Sequence, residues 1–321
     1  MRAFNHSRLL FLLFFLTLSL SYADERYTIS MPERFHVEYK VEVKNSGGTA
    51  RDLKLQIPIF STEGLPPYQR LISYKTPKGV KIIRDYNGEI AVYNLARFEK
   101  GDSLLMKFSF TFINYAIDYR LEPYQGFSSV ETHYLNPEPG IESDTGPIQD
   151  LARKLTSGSS TQLEKARKIF YYVNSNLEYQ RIEEDTHSAL RTLQRGKGVC
   201  EDFSLVYIAL CRASGIPARL VRGYRFNVSD LNSGETDLKS SAHAWVEVKL
   251  PAEGWITVEP TFTYSFNGIK TVNYDFFGKI GQSDRHLFFS YLRDIAPNCS
   301  WAHDPRAPAN LTIEFQALLR K

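Results

Sequence analysis

Hydrophobic and polar residues alternate along the first third of the chain, in runs that turn residues separate. One run extends from Phe35 to Val43, and the turn Asn45-Ser-Gly-Gly48 separates it from the next run, Leu53 to Ile57. Similar runs follow at 80–83, 89–93 and 103–113. A period of two is typical of strands that bury one face, and short strands at this spacing predict an antiparallel sandwich. We therefore expect residues 24–125 to form an all-β sandwich domain.

The period changes to that of a helix after a loop rich in proline, glycine and acidic residues, 136–147. Apolar residues spaced by three and four predict one helix from about Ile148. Thr161-Gln-Leu-Glu164 is typical of a capping box and predicts the start of a second helix. A third helix is expected to begin near Cys200 and to end at Gly215-Ile-Pro217.

Three predicted strands follow these helices, at 218–224, 242–250 and 255–258. The order of helices first and antiparallel strands second predicts an α+β domain over residues 126–288. Residues 289–321 are then a C-terminal extension of unknown role. The fold class that we expect is an N-terminal all-β sandwich followed by a C-terminal α+β domain.

The N-terminus has the pattern of a secretory signal peptide. The basic residues Arg2, His6 and Arg8 precede the apolar run Leu9–Leu20, and Ser21-Tyr-Ala23 fits a small-residue cleavage site. The run is short for a membrane span, which needs about 20 residues, so an uncleaved anchor is the lesser alternative. We expect cleavage near Ala23, an extracytoplasmic mature protein (periplasmic or secreted), and no stable membrane span afterwards.

The composition is that of a globular protein, with 43% apolar, 13% aromatic and 23% charged residues. It excludes a disordered, collagen-like or coiled-coil chain. The 39 basic and 36 acidic residues give a net charge of +3, which falls to +1 without Arg2 and Arg8. A charge so close to zero gives no support for nucleic-acid binding.

The three cysteines, Cys200, Cys211 and Cys299, leave at least one free thiol. Cys200 and Cys211 would lie about 16 Å apart on one helix, which is too far for a disulfide, so Cys299 is the only possible partner for Cys211. The sequence contains no CxxC motif and no cluster of His and Cys at zinc spacing. We therefore expect no metal and no cofactor.

The chemistry that the sequence suggests is centred on Cys200. The segment Arg195-Gly-Lys-Gly-Val-Cys200 places this cysteine on the first turn of a helix, where the helix dipole favours the reactive thiolate. A cysteine nucleophile needs a base and a group that orients the base. His243 is the best base in the sequence, and Glu259 lies at the end of the next predicted strand. With His243 opposite Glu259, the register requires a loop of about seven residues from Val248 to Gly254.

Five motifs in this region resemble the transglutaminase-like superfamily. They are Gly198-Val-Cys-Glu-Asp-Phe-Ser204, Ala213-Ser-Gly-Ile-Pro-Ala-Arg219, Gly223-Tyr224, His243-Ala-Trp-Val-Glu247 and Gly254-Trp-Ile-Thr-Val-Glu-Pro-Thr261. The resemblance implies a papain-like domain in which Cys200 is the nucleophile and His243 is the general base. Glu259 occupies the position where the family has Asp. The β-rich first part also resembles the sandwich found ahead of this domain in exported bacterial relatives.

The remaining site assignments are weaker. Gln194, six residues before Cys200, has the spacing of a side-chain oxyanion donor, and Tyr179 is an alternative. Trp245 and Trp255 are interpreted as packing residues. Five further histidines have no partner nearby in the sequence and are interpreted as surface or core residues: His36, His133, His187, His286 and His303.

The resemblance implies an exported, cysteine-dependent acyl-transfer enzyme that acts on peptide or protein amides through a thioester. Hydrolysis, as in a protease or amidase, is slightly favoured over transglutamination. One alternative is a catalytically inactive transglutaminase-like binding or scaffolding protein of the cell envelope, which the departure at Glu259 keeps open. Another is a structural role in which the sandwich is the functional part. The substrate and the oligomeric state stay undetermined at this stage.

Overall fold

The computed structural model describes residues 26–122, 131–182, 187–231, 234–266 and 269–321. The predicted signal peptide therefore lies outside the described residues. Four α-helices and eighteen strands are present in the described part of the chain. In chain order they are β1 (Tyr27–Asn45), β2 (Ala50–Ile59), β3 (Gln69–Lys75), β4 (Lys81–Arg84), β5 (Glu89–Phe98), β6 (Ser103–Tyr119), α1 (Gly146–Thr156), α2 (Gln162–Asn176), β7 (Glu178–Tyr179), α3 (Ala189–Arg195), β8 (Lys197–Gly198), α4 (Cys200–Ala213), β9 (Ala218–Phe226), β10 (Glu235–Asp237), β11 (Ala242–Leu250), β12 (Gly254–Val258), β13 (Thr263–Phe266), β14 (Ile269–Val272), β15 (Lys279–Ile280), β16 (Arg285–Ser290), β17 (Asn298–Ala302) and β18 (Leu311–Arg320).

Two sheets form the N-terminal sandwich. The first has the order β10-β18-β1-β6-β15, with β3 also paired to β6, and the second has the order β17-β2-β5-β4. Strand β1 runs antiparallel to β6 over almost its whole length, from Tyr27 opposite Tyr119 to Lys44 opposite Ser103. The predicted sandwich is therefore present, and its strands alternate buried and exposed residues as the sequence pattern requires.

The C-terminal segment returns to this sandwich. Strand β18 pairs with β1 from His36 opposite Arg320 to Asn45 opposite Leu311, and β17 pairs with the edge strand β2. The C-terminal strands thus belong to the two sheets of the sandwich. The sequence pattern did not reveal this pairing, because strands that pair over such a distance leave no local signal. The domain boundaries at residues 125 and 288 stay a prediction.

An aromatic core lies between the two sheets. Phe60 stacks on Tyr224 and packs at a tilt against Phe110 and Phe289, with ring centroids 5.8, 5.3 and 4.7 Å away. Phe289 belongs to β16 and Tyr224 to β9, so the four-stranded sheet of the C-terminal part contributes side chains to the core of the sandwich. This shared core fixes the two parts of the molecule against each other.

Helix α4 is the centre of the α+β part. Its residues from Phe203 to Cys211 are buried, and it packs against α1, α2, α3 and the strands β9 and β11. The sheet beside it has the order β12-β11-β9-β16, all antiparallel. A buried helix needs apolar residues on every side, and the sequence Phe203-Ser-Leu-Val-Tyr-Ile-Ala-Leu-Cys211 supplies them. The fold class is the expected one, an N-terminal β-sandwich with a C-terminal α+β domain.

The predicted elements around the site agree with the structure, with two exceptions. The helices predicted near 148, 161 and 200 and the strands at 218, 242 and 255 are present within one or two residues of the expected starts. One exception is the set of elements that were not predicted, helix α3 and strands β7, β8 and β16. The register between β11 and β12 was also predicted wrongly. Val246 lies opposite Val258 and Leu250 opposite Gly254, so the connection is a tight turn at 251–253 and the register is displaced by two residues.

None of the helices in the described residues is long and apolar enough to cross a membrane.

Candidate active site

Cys200 is the first residue of α4, and a buried carboxylate fixes this end of the helix. Asp202 Oδ2 accepts a hydrogen bond from the Val199 backbone N–H at 2.9 Å. Its Oδ1 accepts from Arg195 Nη2 at 2.7 Å and from the Thr192 hydroxyl at 3.2 Å, and it lies 3.1 Å from His187 Nδ1. Burial alone would raise the pKa of Asp202, but the hydrogen bonds from His187 and Val199 and the nearby Arg195 hold that pKa below its usual value. Four polar contacts to one buried carboxylate therefore support the turn that presents Cys200.

Gly198 is required for this arrangement. A Cβ atom at that position would lie 2.5 Å from the Asp202 Cβ and 2.6 Å from its Oδ2, which is closer than real contacts allow. The glycine before Cys200 therefore lets the chain pass directly over the Asp202 side chain.

His243 links Cys200 to Glu259. The Cys200 side chain is close enough to the His243 ring to raise the pKa of that ring, and His243 Nε2 lies 2.5 Å from Glu259 Oε2. Because Nε2 faces the carboxylate, Nδ1 is the ring nitrogen that remains for the thiol. The structure thus brings three of the predicted site residues together in the order Cys200, His243, Glu259.

The His243–Glu259 pair is buried, and the two groups stabilise each other's charge. Burial alone would lower the pKa of His243, but the charge of Glu259, the hydrogen bond that Nε2–H donates to Glu259 and the interaction with Cys200 raise it to about 10. Burial likewise would raise the pKa of Glu259, yet the charge and hydrogen bond of His243, together with His286, hold it well below its usual range. This environment favours an imidazolium beside a carboxylate.

Glu259 reaches His243 although the predicted register was wrong. Glu259 directly follows β12. When the observed register is extended by one pair beyond Val246 and Val258, Glu259 falls opposite Trp245 and not opposite His243. A displacement of two residues keeps the side chain on the same face of the sheet, because strands alternate with a period of two. The longer Glu side chain then spans the remaining offset along the strand.

Two further groups hold the Glu259 carboxylate. Its Oε1 accepts a hydrogen bond from the Thr261 backbone N–H at 3.0 Å, and its Oε2 lies 3.4 Å from His286 Nε2. His286 is fully buried, so its interpretation as a surface or core residue without a partner was incomplete. The period of two that puts Asp284 and His286 on one face of a strand is the signal that could have identified them.

The two oxyanion-donor candidates lie in different places. Gln194 lies in the last turn of α3 with an exposed side chain, which makes no hydrogen bond to another described residue. Tyr179 lies on β7, opposite Gly198 of β8, and burial and the nearby Cys200 and Glu259 raise its pKa. Gln194 and Tyr179 as oxyanion donors both stay predictions.

All three cysteines are free thiols. Cys211 is buried in α4, and burial raises its pKa above the usual range. Cys299 lies on β17 in the sandwich, so the possible Cys211–Cys299 disulfide is excluded.

His243, Glu259 and His286 are the group of described residues that could hold a metal ion, with ligand atoms within 4.8 Å of one another. The 2.5 Å separation of His243 Nε2 and Glu259 Oε2 is that of a hydrogen bond. Two ligands of one tetrahedral zinc ion at about 2.0–2.1 Å would lie about 3.3 Å apart. In this arrangement the three residues form a hydrogen-bonded network.

Part of the chain is similar in sequence to known proteins. Residues 149–260 match the family model described as the transglutaminase-like superfamily. A protein-glutamine gamma-glutamyltransferase from Pseudomonas aeruginosa is 40% identical over 68 residues, which are 20% of this chain and 10% of that protein. The uncharacterised protein YebA from Bacillus subtilis is 31% identical over 127 residues, 36% of this chain and 17% of that protein. The chain therefore spans only a small part of these relatives.

One solved structure resembles the chain over nearly its whole length. It is a protein from Cytophaga hutchinsonii described as a candidate cysteine protease, with a TM-score of 0.59 and 17% sequence identity. The match covers 91% of this chain and 99% of the other. At this identity the resemblance concerns the fold, and it includes both the sandwich and the α+β part.

Proposed function

We propose that the chain is a cysteine-dependent enzyme that transfers acyl groups from amide bonds, and the match of residues 149–260 to the family model of the transglutaminase-like superfamily supports this proposal. The observation that carries the proposal is the nearly buried His243, whose Nε2 lies 2.5 Å from Glu259 Oε2 and whose pKa is raised by Glu259 and by the adjacent Cys200. A nucleophile, a base and a group that orients the base are the components of a cysteine acyl-transfer site.

In the first half-reaction Cys200 is acylated. His243 Nδ1 already holds the proton that the Cys200 thiol has given up, so the thiolate attacks the carbonyl carbon, a C–S bond forms and the carbonyl oxygen becomes an oxyanion. The Cys200 backbone N–H, free at the start of α4, is the first candidate donor to that oxygen, and Gln194 or Tyr179 is the second. The imidazolium then gives its proton to the leaving nitrogen as the C–N bond breaks, which leaves a thioester.

In the second half-reaction the thioester is cleaved. A water molecule loses a proton to His243 as it attacks the thioester, the C–S bond breaks, and the proton returns to Cys200 while the acid leaves. An amine in place of water would give a new amide. We favour hydrolysis slightly, because the chain is expected to work in an aqueous compartment outside the cytoplasm and shows no recognisable amine site.

Glu259 orients His243 throughout both half-reactions. It accepts the Nε2–H hydrogen bond, which fixes the ring so that Nδ1 faces the thiol, and its negative charge stabilises the imidazolium that forms in each step. The proposed setting is extracytoplasmic, with residues 1–23 removed as a signal peptide, and the proposed substrates are peptide or protein amides.

The test is a search for a covalent intermediate on Cys200. The purified chain, from Asp24 on, is incubated with a set of glutamine-containing and other peptide amides, with and without a fluorescent amine, and analysed by mass spectrometry. We expect an acyl group on the Cys200 peptide and release of the free acid. Cys200→Ala should abolish turnover, and Cys299→Ala, which removes a free thiol outside the site, should leave it unchanged. Turnover that survives Cys200→Ala would contradict the proposal.

A further inference from the structure

The candidate active site continues beyond Glu259 into a second buried pair. His286 Nε2 lies 3.4 Å from Glu259 Oε2, and His286 Nδ1 lies 3.2 Å from Asp284 Oδ1. Asp284 in turn forms an ion pair with Arg225 on the neighbouring strand β9. All of these groups except Arg225 are almost completely buried. The sequence Cys200, His243, Glu259, His286, Asp284 is therefore one continuous line of polar contacts through the interior.

From this geometry we propose that His286, fixed by Asp284, is a positioning residue that holds the Glu259 carboxylate against His243. The proposal rests on the proposed function, because it concerns the residue that orients the general base. A carboxylate has no hydrogen-bond donor of its own, so His286 must donate to Glu259 from Nε2. That donor fixes the tautomer and the rotation of the ring.

Glu259 needs such a partner because its side chain is long. A buried glutamate has three rotatable bonds, and ordering it costs side-chain entropy. The hydrogen bond from Thr261 fixes Oε1, but Oε2 would be held by His243 alone if His286 were absent. His243 is the group that must itself be held in position, so a second and independent donor to Oε2 defines the position of the carboxylate.

Asp284 is the group that keeps His286 in place. Its Oδ1 lies 3.2 Å from Nδ1 of the ring, which is an ion-pair contact and not a hydrogen bond between the described residues. Arg225 holds Asp284 and also lies 3.7 Å over the ring of Phe262, which stacks on His243 at 5.5 Å. The same network therefore contacts His243 from two sides.

A glycine on β9, which has no side chain, leaves room for this network. Gly223 lies opposite His243 on one neighbouring strand and opposite Phe288 on the other. A Cβ atom at Gly223 would lie 2.6 Å from the Trp245 ring, and that ring packs edge-on against His286 with centroids 5.1 Å apart. The glycine thus lets the rings of β11 and β16 approach each other across β9.

The test compares three variants of His286 and Asp284 with one control. His286→Phe keeps a ring but removes both donors, His286→Gln keeps a donor at the distance of Nε2, and Asp284→Asn removes the charge beside Nδ1. Leu287→Ala is the control, since Leu287 belongs to the same strand but lies in the sandwich core. Each is assayed for kcat, for KM, for thermal stability and for the pH profile of kcat/KM.

We expect His286→Phe to lower kcat by about 10-fold to 100-fold with KM changed less than about threefold, because a carboxylate displaced by about 1 Å misplaces the base. His286→Gln should recover most of this loss. His286 lowers the pKa of Glu259, so its removal should move the acidic limb of the profile to higher pH. The other charged groups that face Glu259 through this network are His243, Asp284 and Arg225. Leu287→Ala should lower stability without moving the profile.

A second measurement separates this proposal from the proposed function. The rate of Cys200 alkylation by iodoacetamide at pH 6 is compared between the unmodified chain, His243→Ala and His286→Phe, and it needs no substrate. If His243→Ala leaves the rate unchanged, the proposed function fails. If His243→Ala lowers the rate while His286→Phe changes neither the rate nor the pH profile of kcat/KM, the positioning role of His286 is overturned and the proposed function stands.

Discussion

Glu259, the residue that directly follows β12, contacts His243. Its Oε2 lies 2.5 Å from His243 Nε2, and its carboxylate is not exposed to solvent. A hydrogen bond between two charged groups is short and strong, and burial strengthens its electrostatic part. The distance also shows that this register accommodates a Glu side chain, so the longer residue by itself is no evidence of an inactive site.

Shortening this side chain should therefore impair catalysis. Glu259→Asp withdraws the carboxylate by one methylene, about 1.5 Å, and misplacement of about 1 Å can cost about 100-fold in rate. We expect kcat/KM to fall by about 100-fold with little change in KM. Glu63→Asp, at an exposed position in the sandwich part, is the matched control and should have no effect. Full activity in Glu259→Asp would show that the longer side chain is not needed to orient His243.

The His243–Glu259 pair should also make stability depend on pH. The pKa of His243 is raised from 6.5 to about 10. Its contribution to the free energy of unfolding is therefore complete below pH 6.5 and is lost as the pH rises toward 10. The pKa of Glu259 is lowered from 4.5, so its contribution is complete above pH 4.5 and is lost in more acidic solution. Both contributions are therefore complete between pH 4.5 and 6.5.

The melting temperature of Glu259→Gln measures this dependence. We expect the difference from the unmodified chain to be greatest between pH 4.5 and 6.5 and to shrink steadily toward pH 10. Glu63→Gln should show no such trend, because its carboxylate is exposed. A difference that grows with pH from 6.5 to 10 would contradict the assigned charges.

Gly198→Ala should disrupt the turn that presents Cys200. The added Cβ would meet Asp202 at 2.5 Å and displace a buried carboxylate from its donors, which we expect to cost about 3 kcal/mol of unfolding free energy. Gly146→Ala, where the added atom meets nothing within 4 Å, is the matched control and should change stability by less than about 0.5 kcal/mol. Urea denaturation of both variants distinguishes the two positions, and equal stabilities would refute the role of Asp202.

Gly223→Ala tests the close packing of the rings across β9. Its Cβ would lie 2.2 Å from the Leu287 carbonyl oxygen and 2.6 Å from the Trp245 ring, so strands or rings must shift, at a cost of about 1–3 kcal/mol. Because Trp245 packs on His286 and His243, we also expect lower kcat. Gly234→Ala, an exposed position with nothing within 4 Å, should leave both quantities unchanged. A variant as stable and active as the unmodified chain would contradict this packing.

The sequence predicts the local part of this site well. Helix α4 begins at Cys200 as expected, because the glycines before it and Gly215 after it are local signals. The approach of His243 to Glu259 was also predicted, since a register error of two residues leaves both side chains on the same face. The local sequence pattern and the alternation of side chains along a strand were sufficient to predict that these residues approach each other.

The long-range part could not be predicted in the same way. Strand β18 shows a clear alternation at Leu311, Ile313, Phe315 and Ala317, which identifies a strand but not its partner β1, more than 260 residues earlier. His286 joins the site only because β16 pairs with β9 and Glu259 reaches across the face of the sheet. Contacts of this kind depend on the order of strands in the sheet.

The central claim is that His243 activates the Cys200 thiol, and the pH profile of Cys200 alkylation by iodoacetamide tests it most directly. The modified Cys200 peptide is measured by mass spectrometry in the unmodified chain and in His243→Ala, with the buried Cys211 as an internal reference that should stay unreacted. We predict that Cys200 of the unmodified chain reacts rapidly at pH 6, and that His243→Ala slows this reaction at least about tenfold, because the imidazolium that stabilises the thiolate is lost. Equal rates and equal pH profiles in the two proteins would contradict the account and favour a binding protein without catalytic activity.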